Sequence, residues 1–312
     1  MRITNTAFSG TFLNEISQLE TQQSTLQNEA TTGLKVTLPE NNPAAMDQVL
    51  NLQTEASSNT QYQSNITALQ GTATTAADAL NSLQTVVEKA SEIATDATSL
   101  SSQTQLSSDA AQVANLIQEA LEAGNTQDAD GNYIFAGTNT GTTAFTATTD
   151  SAGNVTSVAY NGNTSVAQSQ IASGLTVSAA NPGENKTGSG ASGVFADSRT
   201  GADVFSHLIA LQQDLTSGNV SAITTTDGPN LAKDEDNVVT QISGNGVTQS
   251  TLTAAGNAIT EQSTNIDSEV SNDTSVDMAQ TLTRLSQTQT SYEAALESGT
   301  MLMNVSLLNF LT

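Results

Sequence analysis

Apolar residues recur in steps of four and three residues near both ends of the chain. The first series is Phe12, Ile16, Leu19, Gln23, Leu26 and Ala30. The last series is Met278, Leu282, Leu285, Gln289, Tyr292, Leu296, Gly299, Met303, Ser306 and Phe310. Such spacing places one stripe of side chains along a helix and is typical of coiled coils. Both ends are therefore predicted to be amphipathic helices that pack on each other.

Further helices are predicted inside these ends. Gly33, Pro39 and Pro43 end the first helix, and a second opens near Pro43-Ala44. The stripe of the second helix runs from Tyr62 to Ala97, a length of roughly 54 Å at about 1.5 Å per residue. That length indicates a rod. A third helix is predicted over about 105–124.

The middle of the chain has a different character. Residues 131–200 are rich in Gly, Thr, Asn and Ser, with short alternating runs and turn signals such as Asn161-Gly162. They predict a β-rich insertion. A short helix is predicted over Val204 to Leu215, followed by a loop around Asp227-Gly228-Pro229, with helical phase resuming at Leu252.

These patterns predict a mainly α fold, in which both chain ends form an elongated antiparallel helical bundle or coiled coil that carries a small β-rich domain. The predicted segments are a terminal helical segment 1–42, a rod 43–130, the β-rich domain 131–200, the return of the rod 201–274, and a terminal helix 275–312.

Charge excludes several partners. Seven Lys and Arg residues face 31 Asp and Glu, for a formal charge of −24. Nucleic acids and anionic membrane surfaces need clustered cations, so neither is expected as a partner. Copies of the chain repel each other, so any assembly must depend on apolar contacts.

The sequence contains no cysteine, which excludes disulfides and thiolate metal sites. The N-terminal residues lack the apolar run of a cleaved secretory signal, and no apolar stretch is long enough to cross a membrane. Export, if it occurs, would need a route that reads no such signal.

Candidates for chemistry are weak. His207 is the single histidine and is expected to be a partly buried helix residue. Asp128-Ala129-Asp130-Gly131 resembles a calcium loop, but glycine falls at the wrong position, so a plain turn is expected. The acidic run Asp234-Glu235-Asp236 is expected to be a solvated face. Neither a nucleophile elbow nor a phosphate loop occurs, so we expect no enzyme, no cofactor and no metal.

The terminal stripes are the candidate site. A two-helix coil cannot cover the wide apolar face of residues 302–311, and such a face marks an interaction surface. The expected interface residues are Phe12, Ile16, Leu19, Leu26, Leu282, Leu285, Tyr292, Leu296, Met303, Leu307, Leu308, Phe310 and Leu311.

Three stretches resemble the bacterial flagellin superfamily, and within it the family of hook-associated protein 3, the hook–filament junction proteins. The break after the family's N-terminal helix is similar to Thr31-Thr32-Gly33-Leu34-Lys35-Val36 with Asn41-Asn42-Pro43. The family's C-terminal helix is similar to Asp277-Met278-Ala279 with Tyr292-Glu293-Ala294-Ala295. The discriminating motif is Tyr133, Ile134, Phe135, Ala136, Gly137 and Thr138.

The resemblance implies an extracellular part of the flagellum, exported without a cleaved signal peptide. Its implied partners are further copies of itself, a neighbouring hook-associated protein, flagellin and an export chaperone. Two alternatives stay open: flagellin, the bulk filament subunit, and an adhesin that binds surfaces through residues 131–200.

Overall fold

The computed structural model describes residues 2–35, 42–97 and 101–311, with side chains from Gly10 to Met301 in these ranges. The chain forms two compact units. The terminal unit comprises Met1–Ser58 and Gln262–Thr312, and the central unit comprises Asn59–Glu261. The division of the chain into five segments stays a prediction.

Helices make up most of the fold. Their bounds are α1 Arg2–Thr32, α2 Pro43–Asp96, α3 Gln103–Gly124, α4 Val204–Ser217, the short α5 Val220–Ala222, a π-helix Ile223–Asp227, α6 Gly228–Thr274 and α7 Met278–Leu311. The mainly α fold with helical ends and a β-containing insertion is therefore confirmed.

The helix ends follow local chemistry. Gly33 lies just after α1 with φ +73°, a left-handed conformation that residues with a Cβ rarely adopt. Ser102 caps α3, since its side chain accepts a hydrogen bond from the Gln105 N–H at 3.2 Å. Asp203 caps α4 in the same way, and Gly218 ends α4 with φ +70°. The Asp277 side chain accepts hydrogen bonds from the Ala279 and Gln280 N–H groups in the first turn of α7.

One predicted loop is wrong. The residues around Asp227-Gly228-Pro229 are helical, because the π-helix runs directly into α6. Pro229, which has no N–H to donate, is the second residue of α6. The wider turn of the π-helix precedes it.

Short strands occupy the insertion of the central unit. Strands β1 Phe145–Thr149 and β2 Val155–Tyr160 form one antiparallel hairpin, and β3 Ser169–Ala172 and β4 Leu175–Val177 form another. A third sheet has the order β5 Glu184–Asn185, β6 Ala196–Asp197 and β7 Ala202–Asp203, with β5 parallel to β6.

An aromatic cluster joins these strands to the helices. The Phe145 ring lies 5.1 Å from that of Tyr160, 4.9 Å from Phe195 and 5.0 Å from Phe205 on α4, measured between ring centroids. The Phe135 ring meets Phe195 edge-on at 5.6 Å. The main core of the central unit continues from these rings along α2, α3 and α4.

Candidate assembly interface

Helices α1 and α7 pack against each other in the terminal unit. The start of α1 lies beside the end of α7: a Cβ built on Gly299 would come 2.6 Å from Cε1 of Phe12, so the ring occupies the space above the glycine. The end of α1 lies beside the start of α7, where the Val276 N–H donates to the Gly33 carbonyl at 3.0 Å. The pair is therefore antiparallel, as predicted.

A backbone clamp fixes the end of this pair. Leu34 and Ser275 form an antiparallel bridge, and the Lys35 N–H donates to the Thr274 carbonyl at 2.6 Å. Lys35 Nζ also donates to the Asn272 carbonyl at 2.8 Å. These bonds set the register of α1 against the junction of α6 and α7.

On α1 the predicted stripe is the face turned inward. Leu26 is buried, and Phe12, Ile16 and Leu19 are half-buried. Leu13, outside the stripe, is 65% exposed. The spacing of α1 therefore predicted the correct face of the helix.

On α7 the stripe turned inward differs in part from the prediction. The inward residues are Thr281, Leu285, Thr288, Tyr292, Ala295 and Gly299. Leu285 and Tyr292 were predicted, but Leu282 and Leu296 are 52% and 42% exposed. Successive helical residues are turned by about 100°, so Leu282 and Leu296 flank the inward stripe. The predicted face is thus wider than the seam with α1.

Three of the four large apolar side chains that are exposed in the described part of α7 share one flank, while Met301 lies on another side of the helix. Met278, Leu282 and Leu296 lie on neighbouring directions around the helix, and each is more than 40% exposed. We call these three residues the open flank. Met303, Leu307, Leu308, Phe310 and Leu311 lie further along α7, and their side chains are outside the described part. Exposed apolar side chains grouped in this way mark an interaction surface.

The motif Tyr133–Thr138 lies in the central unit. Ile134, Phe135 and Ala136 are buried, and the Phe135 carbonyl accepts bonds from the Gly183 N–H at 2.7 Å and from the Tyr160 hydroxyl at 2.8 Å. Burial is the largest cause that raises the pKa of Tyr160 to about 12; the charge of Glu184 raises it further, whereas the Gly183 N–H lowers it. The motif therefore contributes to the core.

Gly137 and Thr138 end the motif. Gly137 has φ +70°, and a Cβ there would collide with Asn163. The Thr138 N–H donates to Asn163 Oδ1 at 3.2 Å. These contacts tie the motif to the loop after β2.

The candidates for chemistry occupy structural positions. Asp128 Oδ1 accepts the N–H groups of Asp130 and Asn132, both at 2.9 Å, as in a plain turn. His207 is part-buried on α4, and its Nδ1 lies 2.8 Å from Asp234 Oδ2. The expectation that Asp234 belongs to a solvated face is wrong, because its side chain is fully buried. Asp234 lies three residues after Leu231 and four before Val238, both buried, a spacing that would have indicated the inward face.

Among the helices of residues 2–35, 42–97 and 101–311, none combines the length and the apolar character needed to cross a membrane.

Comparison with known proteins relates the N-terminal part of the chain to one family. The sequence model of the bacterial flagellin N-terminal helical region matches residues 3–140. None of the curated protein sequences matches the chain.

Solved structures share the fold. A Vibrio parahaemolyticus protein described as flagellar hook-associated is 22% identical, with a TM-score of 0.63 over 75% of this chain and 100% of that chain. FlgL of Bacillus cereus is 15% identical, with a TM-score of 0.55 over 71% of this chain and 99% of that chain. FlgL of Xanthomonas campestris is 16% identical, with a TM-score of 0.56 over 69% and 98%. Residues 3–140 of the chain thus match the flagellin N-terminal family, and the chain shares the fold of solved hook-associated structures.

Proposed function

We propose that this protein is a structural component of the bacterial flagellum that forms the junction between hook and filament. Assembly proceeds through the terminal helices. The open flank is the observation that carries the proposal: Met278, Leu282 and Leu296 stay exposed after α7 has paired with α1. A neighbouring subunit that covered them would recover the hydrophobic free energy that the monomer leaves unused.

The proposed partners follow from this role. They are further copies of the chain, a neighbouring hook-associated protein and flagellin, with an export chaperone that holds the C-terminal helix before assembly. The fold shared with FlgL structures supports the junction over other positions in the flagellum. The role needs no catalysis, and the protein would leave the cell without a cleaved signal peptide.

Flagellin is the second candidate, because the matching family model is that of the flagellin N-terminal region. Position on the cell separates the two. A tagged copy of the junction protein gives one spot at the end of each hook, whereas flagellin labels the whole filament. Label along the filament would overturn the junction proposal in favour of flagellin.

The interface is tested by replacing two residues of the open flank. Leu282→Ser with Leu296→Ser should leave helix content unchanged, since both side chains are exposed in the monomer, and should abolish incorporation into flagella. The matched control is Val247→Ser, which removes a side chain that is 68% exposed in the central unit. Normal incorporation of the double variant would contradict the proposed interface.

The end of α7 provides a second test of the same interface. Leu307→Asp with Leu308→Asp places two charges on the face predicted to be covered by a neighbour, and burying a charge without a partner is costly. We expect loss of incorporation with a folded central unit, measured by circular dichroism and by imaging. Filaments of normal number and length would count against it.

A further inference from the structure

A group of ionisable side chains lies between α4 and the helix that follows it. His207 and Asp214 lie on α4, Asp227 ends the π-helix, and Asp234 lies on α6. The fully buried Asp234 carboxylate accepts the Asp203 N–H at 2.8 Å and contacts His207 Nδ1 at 2.8 Å. Buried charges of this kind link α4 to α6, and the assembly role proposed above does not use them.

Asp227 is the member without a cationic partner of its own. Asp227 is only 2% exposed, and among the described residues no hydrogen-bond donor reaches its Oδ2 atom. Ile223 and Leu231, each four residues away, are both fully buried, so Asp227 points inward from the same face. An ionised carboxylate in this position loses its hydration without compensation.

The acidic group that acts on Asp227 is Asp214 on α4. Burial is the largest cause that raises the pKa of Asp227, to about 6, followed by the charge of Asp214 and a hydrogen bond to it. A protonated Asp227 therefore donates to the Asp214 carboxylate, whose Oδ1 also accepts Asn219 Nδ2 at 3.0 Å. When both carboxyls are ionised, they repel each other.

We propose that Asp227 and Asp214 share one proton at mildly acidic pH. This shared proton makes a pH-sensitive contact between α4 and the π-helix that leads into α6. Proton binding joins the two segments. Proton loss leaves two like charges at the same place, one of them buried, and loosens the attachment.

The other charges around Asp227 and Asp214 change the strength of this pH-sensitive contact without reversing its direction with pH. The His207 cation favours ionised Asp227 and is the weakest cause acting on the pKa of Asp227. His207 is itself held by Asp234 and lies near the charges of Asp203 and Lys233. The main contact of His207 is therefore on the α6 side, and among the charged groups Asp214 has the largest effect on the proton affinity of Asp227, after burial.

The direction with pH follows from linkage. Asp227 has a higher pKa in the folded protein than the ordinary value of 3.8, so its contribution to stability is complete below 3.8 and is lost as pH rises through about 6. Between pH 5 and pH 8 the ratio of folded to unfolded central unit should fall about tenfold from this group.

The test compares Asp227→Asn with the native chain. Asparagine is neutral, keeps the shape, and can donate to Asp214 at every pH. The matched control is Asp236→Asn, an exposed aspartate on the same helical segment. Urea unfolding of each full chain is followed by circular dichroism at pH 5 and pH 8, and the Asp227 carboxyl carbon is titrated by NMR.

We expect Asp227→Asn to resist urea better than the native chain at pH 8 and to remove the tenfold fall. Asp236→Asn should keep the fall, and the Asp227 carbon should titrate near pH 6. Equal pH dependence in the native chain and Asp227→Asn, or titration of Asp227 near pH 4, would overturn the proposal. Asp214→Asn should move the titration of Asp227 to lower pH, and an unchanged titration would remove Asp214 from it.

Discussion

Gly299 is the residue at which the pairing of α1 and α7 depends most on side-chain size. It lies in a helix, where glycine costs roughly 1 kcal/mol relative to alanine. It also lies under the ring of Phe12, where a Cβ would come within 2.6 Å of Cε1. The two effects oppose each other, and the contact distance indicates that the steric effect is the larger.

Gly299→Ala is therefore expected to weaken the pairing by up to about 2 kcal/mol, although alanine is the better helix former. Gly10→Ala is the matched control in α1: among the residues whose side chains the structure describes, nothing lies within 4 Å of its Cβ position, so it should stabilise the helix by up to about 1 kcal/mol. Hydrogen exchange of the α1 amides measures both. Greater protection in both variants would contradict the packing of Phe12 on Gly299.

Asn125, just after α3, holds β1 by both atoms of its amide. Its Oδ1 accepts the Phe145 N–H at 2.8 Å, and its Nδ2 donates to the Phe145 carbonyl at 2.9 Å. Asn125→Ala leaves both backbone groups without these bonds and should lower the unfolding free energy of the central unit by about 1–3 kcal/mol.

Asn125→Asp separates the two bonds, because aspartate still accepts from the Phe145 N–H but donates nothing to its carbonyl at neutral pH. Its destabilisation in urea unfolding should therefore be clear, and partial recovery is expected when acid protonates the carboxyl. No loss in Asn125→Ala would show that these bonds do not stabilise the fold.

At the scale of elements, the sequence predicted the existence of the long helices better than the orientation of α7. The apolar face of α7 is wide enough to allow several seams. The seam in the structure is set by α1, whose Phe12 needs small residues opposite, and it brings Thr281, Thr288 and Gly299 inward. Heptad spacing favours large apolar residues, so it selected Leu282 and Leu296, which the pairing leaves exposed.

The start of α6 was wrongly predicted to be a loop, also because packing outweighed the local sequence signal. Gly228-Pro229 is a strong turn signal in isolation. In the structure the π-helix precedes Gly228-Pro229 and runs directly into α6, so the helix continues through this pair. The buried residues Ile223 and Leu231 show that packing on the core decided the outcome over local propensity.

The link between α4 and α6 can be followed at His207, the single histidine of the chain. Burial lowers the pKa of His207, but the hydrogen bond and charge of Asp234 outweigh burial, and the net pKa is raised above 6.5. Burial disfavours the charged form of Asp234 as well and therefore raises the pKa of that carboxyl. The stabilisation from charged His207 is thus complete below pH 6.5 and is lost as pH rises through the higher folded value.

Proton NMR of the His207 ring should accordingly give a pKa above 6.5 in the native chain. In Asp234→Asn the favourable charge is gone and burial remains, so the value should fall below 6.5. Glu235→Gln, which alters the neighbouring half-exposed position, is the control and should leave it raised. A pKa that does not respond to Asp234→Asn would show that this contact does not hold the His207 charge.

At the scale of the whole molecule, the sequence predicted the mainly α class, the β-containing insertion and the pairing of the two helical ends. It could not predict the compact aromatic cluster, because Phe135, Phe145, Phe195 and Phe205 come from separate stretches of the chain. It could not predict the buried Asp227 either, since carboxylates are seldom buried without a partner.

The formal charge of −24 governs how copies of the chain meet. Repulsion opposes each approach of two copies, while the proposed contact at the open flank would supply an attraction that salt does not screen. Since the screening length falls from about 30 Å at 0.01 M salt to about 8 Å at 0.15 M, added salt should weaken the repulsion and leave the apolar attraction in place.

Association of the purified protein should therefore strengthen as sodium chloride rises from 10 to 300 mM, measured by sedimentation velocity at fixed protein concentration. The Leu282→Ser and Leu296→Ser double variant carries the same charge and lacks part of the open flank, so it should stay monomeric at every salt concentration. Association of the native chain that weakens with salt would mean that ion pairs hold the copies together. In that case the exposed side chains of Met278, Leu282 and Leu296 would not be the contact.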